Sequence, residues 1–224
     1  MNLAKSYDFF NPDMCEHRIH IIGCGAIGST LAENLARFGL GGHITLYDFD
    51  HVEEHNIANQ MFTVKDIGKF KVDAVAGMVL SIDPDAADGL RTVSKGYVGQ
   101  MLSGYVFLCV DNIDLRRQIA ESFVGNPNVK AFFDFRMRLT DAQHFAADWS
   151  DEKMVNAFLN SMQFSHDEAK QETPVSACNM TLSVCPTVRT IVAYGVSNFI
   201  NFVKGEKIRK LILIDAFSYQ LDAF

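Results

Sequence analysis

Three closely spaced glycines and one acid further along the chain are suited to holding a phosphorylated ligand. Gly23, Gly25 and Gly28 follow an apolar run in the pattern G-x-G-x-x-G, and Asp48 ends the next apolar run. Glycines let the backbone approach a phosphate, and a helix that begins there points its positive end at the same group. The carboxylate can accept hydrogen bonds from ribose hydroxyls. These four residues predict a nucleotide site without specifying the nucleotide.

A second polar pair follows another apolar run. Asp111 and Asn112 come directly after residues 105–110, a continuous apolar stretch typical of a buried parallel strand. They therefore also stand at the carboxyl edge of a predicted strand.

The elements that must position these residues alternate along the first 135 residues. Apolar spacing predicts helices over 27–38, 65–81 and 113–124, and strands over 19–22, 43–48, 90–93, 105–110 and 129–135. The economical fold is α/β, with a doubly wound, mostly parallel, Rossmann-like sheet. Alternation over 137–147 predicts an antiparallel extension. After a largely apolar helix over 182–203, residues 210–215 and 219–224 predict antiparallel C-terminal strands.

Residues 148–182 differ in character from the rest. Residues 151–162 predict an amphipathic helix, and 163–172 are charged and loop-like. We interpret this region as a surface excursion and crossover loop within a single domain that spans residues 1–224.

Composition excludes several classes of partner and site. The net charge of −7 argues against nucleic-acid binding, which needs clustered Lys and Arg. No apolar run is long enough to cross a bilayer and the N-terminus lacks a signal-peptide core, so we expect a cytoplasmic protein with no membrane partner. Five cysteines, without a C-x-x-C pair, predict reduced thiols and no zinc site.

Four separate stretches, in the same order and spacing, resemble the ThiF/MoeB/ubiquitin-activating-enzyme adenylyltransferase family. They correspond to its G-x-G-x-x-G, D-x-D-x-V-E-x-x-N-x-x-R-Q, helix-borne lysine and D-N-x-x-x-R motifs. Here these are Gly23 to Gly28, Asp48 to Gln60, Lys71, and Asp111 to Arg116. The resemblance implies a compact version of the family fold, acting as a homodimer with ATP and Mg²⁺.

The resemblance also assigns roles to individual residues. Asp48 would bind the ribose, Lys71, one turn into its helix, would bind the phosphates, and Asp111 would hold Mg²⁺. Asn56 and Arg116 would complete the phosphate or ribose contacts. The remaining implied nucleotide-binding residues are Asp50, Asn59, Gln60 and Asn112, of which Asp50 and Gln60 could instead fix the loop.

Two departures from the family pattern concern positive charge. Asn59 stands where the family has an arginine before the glutamine, and an amide cannot replace a guanidinium that offsets charge on leaving pyrophosphate. Residues 1–17 contain no arginine, whereas many family dimers supply one from the N-terminal arm. Lys65 and Lys69 lie close in sequence and are alternative sources of charge.

The crossover region contains Cys178, eight residues before Pro186. In several family members a cysteine here receives the activated acyl group or sulfur. Cys178 is therefore either such a thioester or persulfide nucleophile, with a catalytic role beside Lys71 and Asp111, or an incidental thiol.

Three hypotheses of function follow. The first is ATP-dependent adenylation of the C-terminal carboxylate of a ubiquitin-like or sulfur-carrier protein ending in Gly-Gly, with possible transfer to a cysteine and then to a conjugating-enzyme-like protein. The second is a non-catalytic partner or scaffold, the inactive half of a heterodimer. The third is an NAD-dependent oxidoreductase, which fits the glycines and Asp48 but leaves Lys71, Asp111 and Arg116 unexplained.

Overall fold

The fold is built on one eight-stranded mixed sheet. The computed structural model describes residues 1–172, 175 and 182–224. The strands are β1 Ile19–Ile22, β2 Ile44–Tyr47, β3 Arg91–Val93, β4 Gly104–Leu108, β5 Val129–Met137, β6 Asp141–Asp148, β7 Leu211–Asp215 and β8 Gln220–Ala223. Their order is β3-β2-β1-β4-β5-β6-β7-β8. The pairs from β3 to β5 are parallel and those from β5 to β8 antiparallel. The predicted α/β fold, with its mostly parallel sheet and antiparallel C-terminal strands, is confirmed.

Helices cover both faces of this sheet. They are α1 Ala26–Arg37, α2 Lys71–Ile82, α3 Ile113–Ser122, α4 Glu152–Asn160, α5 His166–Glu172 and α6 Cys185–Val203. Helix α1 packs against α2 and α6, whereas α3 packs against α4 and α5. Alternate residues of β5 serve the two layers, because successive side chains of a strand point to opposite faces. Phe133 contacts Phe199 of α6, and Phe132 contacts Phe158 of α4.

Helix α2 begins later than the sequence predicts. Residues 64–66 form a separate 3₁₀ turn, closed by reciprocal hydrogen bonds between Thr63 and Asp66. Gly68 follows with φ +85°, a left-handed conformation that interrupts helical structure. The expectation of a continuous helix over 65–81, with Lys71 one turn inside it, is therefore wrong: Lys71 is the first residue of α2.

The segment expected to be loop-like, 163–172, contains α5. Ser165 donates its backbone amide and hydroxyl to the Glu168 carboxylate, and the Glu168 amide donates back to the Ser165 hydroxyl. This S-x-x-E capping box is a helix-start signal that the charged composition concealed.

Helix α4 belongs to the core beside the sheet. Its buried face consists of Met154, Val155 and Phe158, and Phe158 meets Trp149 edge to face. Within the described part of the chain, no helix combines the length and the apolar character needed to cross a membrane.

Candidate nucleotide-binding site

The turn between β1 and α1 needs glycine at two of its three glycine positions. Gly23 has φ +99°, and a Cβ there would lie 2.7 Å from the carbonyl carbon of Cys109. A Cβ on Gly28 would lie 1.9 Å from the backbone oxygen of Gly23. Gly25 differs, because a Cβ there would meet no atom within 4 Å. Gly23 and Gly28 pack the turn against the sheet, and Gly25 borders open space.

The first turn of α1 offers backbone donors beside that space. Gly25 is the residue before the helix, and it provides no side-chain cap. The first amides of a helix have no partner inside it, and the helix dipole adds positive potential at this end. This arrangement suits a phosphate.

Asp48 joins the glycine turn to the polar loop after β2. Its Oδ2 accepts a hydrogen bond from the Cys24 amide at 2.6 Å, and its Oδ1 accepts one from the Asp50 amide at 2.9 Å. The acid predicted to bind ribose is thus fixed against the turn on one side and the loop on the other.

Lys71 continues the same chain of contacts. Its backbone amide donates to the Asp50 carbonyl at 2.9 Å, and its Nζ lies 2.8 Å from Asp50 Oδ2. The Lys71 side chain is only 11% exposed, whereas that of Asp50 is 50% exposed. The glycine turn, Asp48, Asp50 and Lys71 therefore form one connected unit, although Gly23 and Lys71 are far apart in sequence.

The loop after β2 is held by Asn56, which is 5% exposed. Its Oδ1 accepts a hydrogen bond from the Glu53 amide at 2.9 Å, and its carbonyl accepts the amides of Asn59 and Gln60. Gln60 Oε1 is buried, with no hydrogen-bond partner among the described residues. Buried acceptors are normally paired, so this oxygen suits contact with a ligand or water.

Asp111 and Asn112 follow β4 at the carboxyl edge of the sheet, as predicted. The Asp111 side chain is exposed. Asn112 caps α3, because its Oδ1 accepts the Leu115 amide at 3.0 Å. In the part of the chain that the structure describes, no group of three His, Cys, Asp or Glu side chains gathers to hold a metal ion.

The guanidinium of Arg116 points into the protein. Its Nε donates to the Val110 carbonyl at 2.7 Å, and Nη2 also donates to that oxygen. Its Nη1 donates to Asp134 Oδ1 at 2.5 Å and to the Phe135 carbonyl. These contacts explain the position of Arg116 without a nucleotide, so its direct role in nucleotide binding stays a prediction.

Sequence reasoning missed Asp134. It lies on β5, is fully buried, and contacts both Arg116 and Arg136. Burial alone would raise the pKa of the Asp134 carboxyl, but the two guanidiniums outweigh it and hold that pKa below its usual value. The available signal was an acid and a base two residues apart, hence on one face, in a strand whose other residues, except Lys130, are apolar.

Lys65 and Lys69, the two alternative sources of charge, both lie just before α2. Lys69 Nζ contacts Asp66 at 2.9 Å, and Lys65 is exposed on the preceding 3₁₀ turn. Both therefore stay predictions as sources of charge.

The described cysteines differ in environment. Cys24 is fully buried, and burial raises the pKa of its thiol well above the usual value. Burial likewise raises the pKa of Cys109, whereas Cys185 is partly exposed at the start of α6. Cys178 lies outside the described residues.

An open α/β sheet with a glycine-rich turn between β1 and α1, and an acid after β2, defines the Rossmann-like class of folds. The ThiF family profile matches residues 12–223, and the chain belongs to that family.

Curated relatives include ubiquitin-like modifier-activating enzyme 5 of Bombyx mori, 33% identical over 134 residues that cover 53% of this chain and 33% of the relative. The same enzyme of Drosophila grimshawi is 32% identical over 136 residues, again covering 53% of this chain and 33% of the relative. The chain thus spans about a third of the length of these relatives.

Two solved structures have the same fold. E. coli MccB, crystallised with AMPCPP and MccA, has a TM-score of 0.74 at 15% identity, covering 95% of this chain and 65% of MccB. PaaA has a TM-score of 0.65 at 16% identity, covering 99% of this chain and 68% of PaaA.

Proposed function

We propose that this protein uses ATP to adenylate the C-terminal carboxylate of a small ubiquitin-like or sulfur-carrier protein ending in Gly-Gly. The observation that carries the proposal is the connected unit of glycine turn, Asp48, Asp50 and Lys71, in which two acids link the Lys71 ammonium to the glycine turn. Family membership and the relatives' names support the same reaction class. MccB, which shares the fold, was crystallised with ATP and in complex with N-formylated MccA.

The residues present suit ATP. The α1 amides beside Gly25 would bind phosphate oxygens, and Asp48 would accept hydrogen bonds from the ribose. Lys71 Nζ, now paired with Asp50, would turn to the phosphates, and the exposed Asp50 carboxylate would remain hydrated. Asn56 would hold the loop in place, while Asn59, Gln60 and Asn112 would add polar contacts to the nucleotide.

Mg²⁺ would be held by Asp111, which is exposed at the carboxyl edge of β4, and when bound it would neutralise phosphate charge. A single carboxylate suits this ion, which usually keeps several waters and binds through substrate phosphates.

The reaction requires that two anions meet. An oxygen of the carrier carboxylate bonds to the α-phosphorus as the bond from that phosphorus to the bridging oxygen breaks, and the electron pair leaves with pyrophosphate. The products are an acyl adenylate and pyrophosphate. Lys71 and the α1 amides would stabilise the charge on the phosphate oxygens, and the connected unit would keep the reactants in line.

The later steps and the assembly are part of the same proposal. Cys178 would attack the acyl adenylate through its thiolate, releasing AMP and leaving a thioester, from which the acyl group would pass to a conjugating-enzyme-like protein. The protein would act as a homodimer in the cytoplasm.

A second candidate is a non-catalytic partner of an active family member. Asn59 favours it, because this half-buried amide ends the 3₁₀ turn where the family pattern has an arginine. Without that cation, the departing pyrophosphate would be less well neutralised.

Pyrophosphate–ATP exchange tests the proposal. The full chain is incubated with Mg²⁺-ATP, labelled pyrophosphate and a panel of purified ubiquitin-like proteins ending in Gly-Gly, each matched by a version lacking the two glycines. We expect label to enter ATP only with an intact carrier. ATP binding without exchange for any carrier would favour the non-catalytic partner, and NADH binding in place of ATP would refute both.

A further inference from the structure

A buried cluster of three charges links the strand edge that carries Asp111 to the end of α4. Asp134 lies on β5 opposite Leu108, the last residue of β4, and is fully buried. Its Oδ1 accepts from Arg116 Nη1 at 2.5 Å, and its Oδ2 accepts from Arg136 Nε at 2.6 Å. Each carboxylate oxygen therefore serves a different arginine.

Each arginine uses its remaining donors to hold a different backbone segment. Arg116 donates two hydrogen bonds to the carbonyl of Val110, the residue immediately before Asp111. Arg136 donates two hydrogen bonds to Ser161 at the end of α4. Its Nη1 lies 2.6 Å from the Ser161 carbonyl oxygen, and its Nη2 lies 2.9 Å from the Ser161 hydroxyl.

Helix α3 also contacts the turn between α4 and α5, which comprises residues 161–165 (turn 161–165). Arg117 Nη1 donates to the Met162 carbonyl at 3.1 Å, and the His166 amide donates to Asp114 Oδ2 at 3.2 Å. Helix α3 begins directly after Asp111 and Asn112. Residues 161–165 are thus fixed both by the charge cluster and by the helix that follows the Asp111 edge.

Such a cluster is poorly explained by stability alone. Desolvation of buried ions cancels much of their attraction, and apolar side chains of similar volume often stabilise a fold as well. What a guanidinium with several hydrogen bonds adds is geometry, because its planar fork fixes the groups that it contacts.

We propose that Asp134 is a positioning residue for the adenylation site, which through Arg116 sets the backbone that presents Asp111 and through Arg136 sets turn 161–165. This role rests on the proposed ATP site. It differs from the direct nucleotide contact predicted for Arg116, since the guanidinium acts through the Val110 carbonyl. One buried anion then aligns the Mg²⁺-binding edge with the turn that leads into α5.

The test compares Asp134→Asn, Arg116→Lys and Arg18→Lys with the unmodified chain. Arg18 is a matched control because it is also held by several acceptors, the carbonyls of Gly42, Gly89 and Ile44 and the hydroxyl of Thr45, near the start of β2. Thermal melts establish folding. Calorimetric titration then measures ATP affinity in EDTA and the Mg²⁺ concentration that gives half of the maximal gain in affinity.

We expect Arg116→Lys to raise that Mg²⁺ concentration roughly tenfold, as outer-shell substitutions commonly do, with ATP affinity in EDTA unchanged. Asp134→Asn should do the same and also speed amide hydrogen exchange over 161–166. Arg18→Lys should lower the melting temperature alone. If Asp134→Asn does not fold, Arg116→Lys still decides the Mg²⁺ half of the proposal.

Two results would overturn the role. A folded Arg116→Lys variant with an unchanged Mg²⁺ requirement would show that these residues are purely structural. A loss of ATP affinity that is as large in EDTA as with Mg²⁺ would indicate direct nucleotide contact instead. If the unmodified chain binds no Mg²⁺-ATP, the proposed function fails, and the positioning role fails with it. If the unmodified chain binds Mg²⁺-ATP and the folded variants have the same Mg²⁺ requirement as it does, only the positioning role is refuted.

Discussion

Replacement of Lys71 by methionine should remove nucleotide chemistry while sparing the fold. The Lys71 side chain is 11% exposed, so its ammonium is largely shielded from water, and its present partner Asp50 is half exposed. Methionine keeps an unbranched side chain at the first position of α2 and removes the ammonium, with its charge and its hydrogen-bond donors. Water can hydrate Asp50 in the variant, so we expect the free energy of unfolding to fall by less than about 1 kcal/mol.

The effect on the reaction should be larger. A shielded cation that meets charge developing on the phosphates is expected to lower the barrier by about 3 kcal/mol, which corresponds to a loss of roughly a hundredfold in kcat/KM when it is removed. Carrier-dependent pyrophosphate exchange measures this loss, and chemical denaturation measures stability.

Lys69→Met is the matched control. Lys69 lies two residues earlier, is 52% exposed, and contacts Asp66. Unless Lys69 is itself the alternative source of charge, its replacement should change exchange by less than threefold. If Lys71→Met also keeps exchange within threefold of the unmodified chain, or if the Lys69 variant loses as much, the assignment of Lys71 to the phosphates is refuted.

Three further predictions concern the charge at position 59, the glycines of the turn between β1 and α1, and the pH dependence of stability. Asn59→Arg should increase exchange if the site lacks a cation, whereas unchanged high exchange would show that another cation already acts there. Gly28→Ala should lower the melting temperature, because its Cβ would lie 1.9 Å from the Gly23 oxygen, while Gly25→Ala, with no atom within 4 Å, should weaken ATP binding without unfolding. Burial lowers the pKa of His144 to about 4. Between about pH 6.5 and about pH 4, the imidazole of this residue is therefore protonated mainly in the unfolded state. His144 alone should therefore lower the free energy of unfolding by about 2 kcal/mol between about pH 7 and about pH 5, and His144→Gln should remove this contribution from denaturation curves.

The sequence predicted those features that depend on local pattern. Gly23, Gly25 and Gly28 after an apolar run, and Asp48 after the next, define a β-turn-α-β unit from steric and electrostatic needs alone. The antiparallel C-terminal strands were equally readable, because their alternation and turn residues are local.

Two other features were not predicted, one because the spacing of apolar residues conceals it and the other because a tertiary contact sets it. The start of α2 depends on a left-handed Gly68 and on the pairing of Thr63 with Asp66, which a helical spacing of apolar residues does not reveal. The inward direction of Arg116, a residue of α3, depends on Asp134 of β5. No local pattern shows which of two possible anions, a nucleotide phosphate or a buried carboxylate, will meet a given guanidinium.

The most direct test of the proposed reaction is the mass of the carrier during the first turnover, before transfer to Cys178. The full chain is mixed with Mg²⁺-ATP and a ubiquitin-like protein ending in Gly-Gly, and the intact carrier is analysed by mass spectrometry after rapid quenching. The proposed reaction yields a carrier that gains one adenylyl group at its C-terminal carboxylate, with pyrophosphate released and no adduct on the carrier that lacks Gly-Gly. A carrier that gains a single phosphoryl group, with release of ADP, would contradict it.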